Sequence, residues 1–215
     1  MAQPLDKAYW AEESTVYWKP HPRLRFMANI LCRLPQRRLL DLGCSGAALR
    51  DLLPVSFSYF GCDITDEARR RLPDGHFLQR DFNDSPDLSF FADKHIDVIH
   101  VGGVLEYLRE PHELLVEARK LVTPGSPLVL SIINFESTHY ADPRTHHPRW
   151  IYRPNLDSFI HLFGANGWNA ARIWPFTEKC ALKQLWLRCC ANLLGARHSA
   201  IRRRARQFIL LARAA

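Results

Sequence analysis

A loop of small residues follows the first strongly apolar segment of the chain. Residues 38–42, Arg-Leu-Leu-Asp-Leu, lead directly into Gly43, Cys44 and Ser45, and Asp41 is the acid that precedes this loop. Small side chains allow the backbone of such a loop to contact a ligand. A carboxylate here would repel the pyrophosphate of a dinucleotide, whereas it can accept hydrogen bonds from a cationic amino group. The loop therefore predicts a phosphate-free cofactor, with Asp41 at its ammonium end.

Two more acidic positions follow the second and third apolar segments. Asp63 precedes Ile64, and Asp81 precedes Phe82. The carboxyl ends of parallel strands meet at one edge of a sheet, so these side chains are expected beside the small-residue loop. We expect Asp63 to accept hydrogen bonds from both hydroxyls of a ribose, with Ile64 against one face of an adenine. We expect Asp81 to accept a bond from the adenine amino group, with Phe82 beside the ring. These features favour S-adenosylmethionine, whose sulfonium and ammonium groups are cationic.

The segments around these residues alternate between strand-like and helix-like patterns. Short apolar segments bounded by turn residues predict strands at 38–42, 57–62, 76–79, 96–101, 127–133, 169–174 and 207–212. Helical spacing predicts helices at 22–34, 47–53, 66–72, 111–122 and 154–164. Strands that alternate with helices are typical of an α/β fold on a parallel sheet. The length and the 47% apolar content fit a single domain over residues 1–215.

Five motifs occur in the order and at the spacing of one known family. They are Leu-Leu-Asp-Leu-Gly-Cys-Ser-Gly at 39–46, Gly-Cys-Asp-Ile at 61–64, Arg-Asp-Phe-Asn at 80–83, and the longer segments 96–108 and 121–131. From about residue 37 to 167 the chain resembles the class I S-adenosylmethionine-dependent methyltransferases of the small-molecule type. The resemblance implies a Rossmann-like three-layer sandwich with a mostly parallel seven-stranded sheet and an antiparallel last strand. It also implies that the Gly102-Gly103 turn, through Gly102, lies close to the methionine part of the cofactor.

The chain departs from this family pattern at three positions. Ser45 and Ala47 stand where the family usually has glycine, and Tyr107 stands where a histidine is frequent. Both loop replacements are small, so we expect cofactor binding to persist. The missing histidine argues against a histidine base at position 107. These departures also favour an alternative, a non-catalytic methyltransferase-like protein that keeps the fold and binds the cofactor.

Methyl transfer from a sulfonium is an in-line displacement, in which alignment and desolvation supply much of the acceleration. A general base becomes important when a hydroxyl acceptor must lose its proton. The candidates are Glu106, Tyr107, His139 and His146, and the sequence does not choose among them. The expected acceptor is an oxygen of a small molecule or of a sugar-containing intermediate.

Three segments are expected to surround this site. Residues 1–35 are predicted to form an N-terminal helical cap, in which Tyr9-Trp10 and Tyr17-Trp18 cover the site or pack on the first helix. Residues 134–152 follow the fifth strand at the same edge, and long loops there commonly contact the substrate. No cysteine and histidine cluster has zinc spacing, so no metal site is predicted.

Positive charge is concentrated at the C-terminal end. The net charge is +7, and residues 172–215 contain ten Lys or Arg but one acid, so the rest of the chain is mildly acidic. We predict a basic helical insertion at 177–206 with an apolar stripe and the cluster Arg202–Arg204 and Arg206. The stripe either packs on the protein or makes peripheral contact with an anionic membrane, in which case the acceptor would be a lipid-linked glycan. Nucleic acid is a weaker candidate, because no aromatic side chains interleave the arginines.

Cysteine usage and hydropathy bear on the compartment. The six cysteines include no Cys-x-x-Cys pair, and no apolar segment is long enough to cross a bilayer. The first residues lack the basic start and apolar segment of a secretion signal. The sequence therefore predicts a cytoplasmic protein with reduced thiols, either free or at the inner face of the membrane.

Overall fold

Within the residues that can be described, seven strands form one mixed sheet. The computed structural model describes residues 9–10, 19–147, 149–177 and 181–215. The strands are β1 (Arg38–Leu42), β2 (Ser58–Asp63), β3 (Phe77–Gln79), β4 (Val98–Gly102), β5 (Pro127–Ile133), β6 (Trp168–Phe176) and β7 (Gln207–Ala214). Their order is β3-β2-β1-β4-β5-β7-β6, with β7 antiparallel to both of its neighbours and the other pairs parallel. The predicted Rossmann-like sheet with an antiparallel last strand is confirmed.

The α-helices of the described residues are α1 (Pro22–Leu31), α2 (Pro111–Lys120), α3 (Leu156–Ala165), α4 (Ala181–Leu194) and α5 (Ser199–Arg202). Proline stands in the first turn of α1 and α2, where its missing N–H removes no intrahelical hydrogen bond. The predicted start of α3 at Pro154 is wrong by two residues. Asn155 caps this helix, because its side-chain oxygen accepts a hydrogen bond from the Ser158 N–H at 2.8 Å.

Two predicted helices are only short 3₁₀ segments. The prediction at 47–53 is replaced by Arg50–Leu52, and the prediction at 66–72 by Glu67–Arg70. Left-handed backbone at Ala47 prevents an early helix start, and the proline at position 54 forces an extended conformation before it. The space between these two constraints, residues 48–52, is little more than one α-helical turn. Further 3₁₀ segments are Ser89–Lys94, Leu105–Tyr107, Thr138–Tyr140 and Pro143–Thr145.

Side chains alternate across the sheet and form two apolar cores. On one face, residues of β1, β2 and β4 pack against α1, which contributes Leu24, Met27, Ala28 and Leu31. On the opposite face, the strands pack against α2 and α3, whose largest core residues are Phe159 and Phe163. The sheet is therefore the middle layer of three. Trp168 joins β6 to α2, since its buried indole N–H donates to the Leu115 carbonyl at 3.0 Å.

The segment before β7 contains α4 and α5 and lies within the predicted basic insertion. α4 packs against β6, with Leu187 fully buried. Leu185, Trp186 and Leu193, which belong to the predicted apolar stripe, are exposed. The structure therefore does not place this part of the stripe against the sheet. The side chain of Leu182 and residues 178–180 lie outside the described residues, and no described helix has the length and apolar character needed to span a membrane.

Gly43 offers a test of the loop that follows β1. Its φ is +78°, and an added Cβ would lie 2.0 Å from Val104 Cγ2. Gly75 is a matched control, because its φ is +73° and nothing lies within 4 Å of its added Cβ. We expect Gly75→Ala to lower the free energy of unfolding by about 1–2 kcal/mol, the cost of left-handed backbone. Gly43→Ala should lose about 1–3 kcal/mol more through overpacking.

Urea denaturation of both variants measures the difference. If Gly43→Ala were no more destabilised than Gly75→Ala, the loop would not pack against Val104 as the structure shows. A second change, Val104→Ala in the Gly43→Ala background, should recover part of the loss, because it removes the methyl group that clashes.

Candidate functional site

A cavity of about 510 Å³ lies at the carboxyl edge of the sheet. This volume is in the range of small-ligand sites. The cavity is bounded by the ends of β1, β2 and β4, by the segment after β3, by the start of α1 and by the loop after β5. The predicted site residues that line it are Gly43, Ser45, Asp63, Ile64, Asp81, Phe82, Gly102, Glu106 and Tyr107. Four predicted residues do not line it: Asp41, Cys44, His139 and His146.

Asp63 joins the end of β2 to the loop that follows β1. Its Oδ2 accepts a hydrogen bond from the Ser45 N–H at 2.8 Å, and its Oδ1 accepts from the N–H and hydroxyl of Thr65 at 2.9 and 3.0 Å. Burial raises the pKa of this carboxyl, while these hydrogen bonds oppose the shift. The group thus lies at the cavity wall, and its three described hydrogen bonds leave about one acceptor site for a ligand hydroxyl.

The loop after β1 has a strained backbone. Ser45 has a φ of 47° and Ala47 a φ of 57°, so both residues occupy the left-handed region that glycine adopts without cost. These are the two positions at which the resemblance calls for glycine. The Cys44 side chain is buried away from the main cavity and near Gly61. Cys44 does not line the main cavity, but it lines a small recess beside it.

Asp41 is buried beneath the loop instead of facing the main cavity. Its Oδ1 lies 2.6 Å from His100 Nδ1, and its other oxygen accepts a hydrogen bond from the Tyr59 hydroxyl. Burial and the neighbouring Asp41 raise the pKa of Tyr59 well above its ordinary value, so the phenol remains a donor. Both oxygens of Asp41 are engaged inside the protein. Asp41, predicted at the ammonium end of the cofactor, does not line the main cavity but lines a small recess beside it.

The segment after β3 forms the opposite wall. Asp81 Oδ1 accepts a hydrogen bond from the Asn83 N–H at 2.8 Å, and partial burial raises the pKa of this carboxyl. Phe82 lines the cavity and also packs against the larger core. Asn83 joins two loops, because its amide donates to the Tyr107 carbonyl at 3.1 Å and accepts from the Arg109 N–H at 2.9 Å. This wall is held by side-chain to backbone hydrogen bonds.

Glu106 is an almost completely buried acid at the cavity wall. Its Oε1 accepts a hydrogen bond from the Ile133 N–H at 2.7 Å, and no described residue pairs with its Oε2. Its backbone carbonyl accepts from the N–H groups of Ile151 and Tyr152 at 2.8 and 3.1 Å. Burial raises the pKa of this carboxyl. Glu106 therefore positions the loop after β5 and presents a carboxyl group of increased basicity.

The structure does not bring His139 and His146 into the cavity. His139 Nδ1 accepts a hydrogen bond from Arg206 at 2.8 Å. Both ring nitrogens of His146 have protein partners, since Nε2 donates to the Tyr140 carbonyl at 2.8 Å and Nδ1 accepts from Arg153 at 3.1 Å. These bonds hold the rings within the loop. The adjacent His147 lines the cavity instead.

Aromatic rings from three separate segments meet at the cavity. Trp10 lies edge-on to Tyr107 with ring centroids 5.0 Å apart, and Tyr107 lies edge-on to His147 at 5.6 Å. Tyr9 completes the group, because its ring contacts Trp10 at 5.3 Å and its hydroxyl is 3.1 Å from His147 Nε2. Trp150 lines the same wall. Of the predicted N-terminal cap, Tyr17-Trp18 lies outside the described residues, whereas Trp10 contributes to the cavity.

Sequence reasoning missed two cavity residues with charged side chains, Arg23 and Arg80. Arg80 belongs to the Arg-Asp-Phe-Asn segment, so its position beside Asp81 was a usable signal. Arg23 is the second residue of α1, and its guanidinium is 3.4 Å from the Gly102 carbonyl oxygen. No local pattern identifies it, because α1 reaches the site only through tertiary packing. Among the residues described, no group of three or more His, Cys, Asp or Glu could hold a metal ion.

The sheet order, the loop after β1 and the acids after β2 and β3 define a class I methyltransferase fold. The family model described as a methyltransferase domain matches residues 16–172. The chain belongs to this methyltransferase domain family. The cofactor predicted from the sequence, S-adenosylmethionine, is thereby confirmed. No curated protein sequence matches the chain significantly.

Solved structures show the same fold at low sequence identity. A chain of the complex between the Haloferax volcanii Trm112 methyltransferase activator and a methyltransferase has a TM-score of 0.63 and 19% identity, covering 100% of this chain and 99% of that chain. An S-adenosylmethionine-dependent methyltransferase from Archaeoglobus fulgidus has a TM-score of 0.61 and 19% identity, covering 89% and 91%. The Burkholderia thailandensis 1,6-didemethyltoxoflavin-N1-methyltransferase, with S-adenosylhomocysteine bound, has a TM-score of 0.59 and 12% identity, covering 96% and 80%.

Asp63→Asn tests the acid at the end of β2. The amide keeps the size of the side chain but offers one acceptor oxygen in place of two, so a ligand hydroxyl and the Ser45 N–H compete for it. We expect the affinity for S-adenosylhomocysteine to fall about tenfold or more in isothermal titration calorimetry. Asp51→Asn is the control, because Asp51 pairs with Arg71 at the exposed surface. Unchanged affinity in Asp63→Asn would remove this residue from the cofactor site.

Proposed function

We propose that the protein transfers the methyl group of S-adenosylmethionine to a small acceptor, at an oxygen of a small molecule or a sugar-containing intermediate. The observation that carries this proposal is one continuous cavity with two different walls. One wall has acidic and small residues from the ends of β1, β2 and β3, and the other has aromatic rings around Glu106. The first wall matches the groups of the cofactor, and the second matches an acceptor with flat apolar faces.

The residues of the first wall fit S-adenosylmethionine. Asp63 would accept hydrogen bonds from the ribose hydroxyls, and Asp81 from the adenine amino group. Ile64 and Phe82 would lie beside the adenine, while Gly102 would allow close approach of the methionine part. Among the described contacts Asp63 accepts three hydrogen bonds and Asp81 accepts one, so each acid retains acceptor capacity for a ligand. The small residues of the loop also support this assignment.

Chemistry at the second wall needs only a few residues of this chain. The cofactor supplies an electrophilic methyl group on a sulfonium. Trp10 and Trp150 would exclude water and hold a planar acceptor, since aromatic rings pack on flat apolar faces. Glu106 would take the proton of an acceptor hydroxyl, and Tyr107 would orient that hydroxyl. This assignment favours Glu106 as the general base over His139 and His146, which lie outside the cavity.

Glu106→Gln tests the proposed base. The amide oxygen can still accept the Ile133 N–H bond, so we expect the fold and the affinity for S-adenosylhomocysteine to change little. The turnover rate should fall about 10²- to 10⁴-fold, the usual contribution of a positioned base. A base acts when unprotonated, so wild-type turnover should fall as the pH drops through the raised pKa of Glu106. This fall in turnover at low pH should be absent in Glu106→Gln.

The assay follows labelled methyl groups from S-adenosylmethionine to a panel of phenols and glycosides. A variant with the wild-type rate and pH profile would contradict the role of Glu106. Cofactor binding without transfer to any oxygen, nitrogen or carboxyl acceptor would support the alternative, a non-catalytic cofactor-binding partner. The Haloferax volcanii relative was solved in a complex with an activator, which is compatible with a protein partner for this chain.

We further propose that α4 makes peripheral contact with an anionic membrane. Leu185, Trp186 and Leu193 are 58%, 40% and 84% exposed, whereas Leu187 of the same helix is buried. The guanidinium of Arg204 lies over the Trp186 ring at 4.6 Å. An exposed apolar stripe with basic neighbours suits the surface of an anionic bilayer, where each basic residue contributes about 1 kcal/mol. A lipid-linked glycan acceptor would be consistent with this contact.

Flotation with liposomes tests the membrane proposal. We expect binding to phosphatidylglycerol/phosphatidylcholine vesicles at low salt, weaker binding at high salt, and little binding to phosphatidylcholine alone. The double change Trp186→Ser and Leu193→Ser should reduce flotation. Val55→Ser is the control, because Val55 is fully exposed elsewhere on the surface. Failure of the wild type to float with anionic vesicles at low salt would contradict the proposal.

A further inference from the structure

A small recess adjoins the main cavity beneath the loop that follows β1. Its volume is about 20 Å³, which is room for one water or one ammonium group. Asp41 and His100 line it from the sheet. Arg23, Gly43 and Gly102 line both the recess and the main cavity, so a ligand in the cavity can reach into the recess.

The recess contains a histidine whose second ring nitrogen has no partner among the described residues. His100 Nδ1 lies 2.6 Å from Asp41 Oδ1, and both side chains are almost fully buried. A carboxylate only accepts hydrogen bonds, so the nitrogen facing Asp41 carries the proton and Nε2 is an acceptor in the neutral ring. No described residue pairs with this buried Nε2. In this tautomer the ring presents a hydrogen-bond acceptor to the recess.

Gly102 lies beside the His100 ring, and its lack of a side chain leaves space for the ring. An added Cβ at Gly102 would lie 2.7 Å from His100 Cε1 and 3.2 Å from Nε2, so a side chain at this position would displace the ring. Arg23 Nη2 donates to the Gly102 carbonyl at 3.4 Å, and its buried Nε has no partner among the described residues. The acceptor His100 Nε2 and the cationic donor Arg23 thus belong to residues that both line the recess. An α-amino acid group, with its ammonium and carboxylate, has the complementary charges.

We propose that His100 and Arg23 bind the amino-acid end of S-adenosylmethionine. His100 Nε2 accepts a hydrogen bond from the ammonium group in the recess, and Arg23 pairs with the carboxylate in the adjoining cavity. Asp41 is then a positioning residue that orients His100, instead of the direct acceptor expected from the sequence. This inference rests on S-adenosylmethionine as the cofactor and is independent of the methyl acceptor.

Two ligands distinguish binding of the amino-acid end by His100 from a purely structural role of His100. S-adenosylhomocysteine has the amino-acid end, whereas 5′-methylthioadenosine lacks it, and calorimetry gives the affinity of the wild type for each. We expect the ratio of the two affinities to fall about tenfold in His100→Asn. The amide nitrogen of this asparagine can still donate to Asp41, but nothing replaces Nε2. Arg23→Gln should also lower the ratio.

Tyr59→Phe is the matched control. It removes the other hydrogen bond of Asp41, and Tyr59 lines neither the recess nor the main cavity. A structural role for His100 would change both affinities equally in His100→Asn and leave the ratio at the wild-type value, which would overturn the inference. If His100→Asn does not fold, an unchanged ratio in Arg23→Gln would overturn it. Failure of the wild type to bind either ligand would instead contradict the proposed function.

Discussion

The hydrogen bond from the Ser45 N–H to the carboxylate of Asp63 holds the loop after β1 against the end of β2, and the cavity takes its shape from this contact. The N–H groups of Gly43 and Cys44 reinforce it, since both donate to the Cys62 carbonyl at 2.8 and 3.2 Å. Each bond requires β1 and β2 to be parallel and in register, with Asp41 opposite Gly61. The pairing of β1 with β2 therefore also fixes the geometry of the loop after β1.

The same loop carries backbone strain that the surrounding contacts must offset. Left-handed conformations at two non-glycine residues, Ser45 and Ala47, cost about 1–2 kcal/mol each. Ala47 is completely buried and the loop is hydrogen-bonded to β2, so the fold can hold this conformation. The family glycines are thus replaced at positions where the backbone remains glycine-like. The non-glycine residues at these positions therefore add a conformational cost to the loop.

Burial gives the acids around the cavity different properties. Asp41 has both oxygens paired inside the protein, and Asp63 has backbone partners but faces the cavity. Glu106 has one paired oxygen and one that no described residue pairs with. Burial of a carboxyl oxygen without a hydrogen-bond partner favours the neutral form of the group and so increases its basicity. The cavity and its adjoining recess therefore contain acids suited to positioning, to ligand binding and to proton transfer, and hydrogen-bond partners decide which acid suits which role.

The sequence by itself determined the sheet class and the edge at which Asp63 and Asp81 line the cavity, because strand periodicity and the shared carboxyl edge are local or general properties. Its motifs also determined the cofactor, because they are local features of the chain. It could not show that Asp41 faces His100, since that contact depends on the register between β1 and β4. The packed face of α4 and the choice of His147 over His139 and His146 also required tertiary structure. These outcomes depend on contacts between residues far apart in the chain, where several arrangements satisfy the same local pattern and only the assembled core selects one.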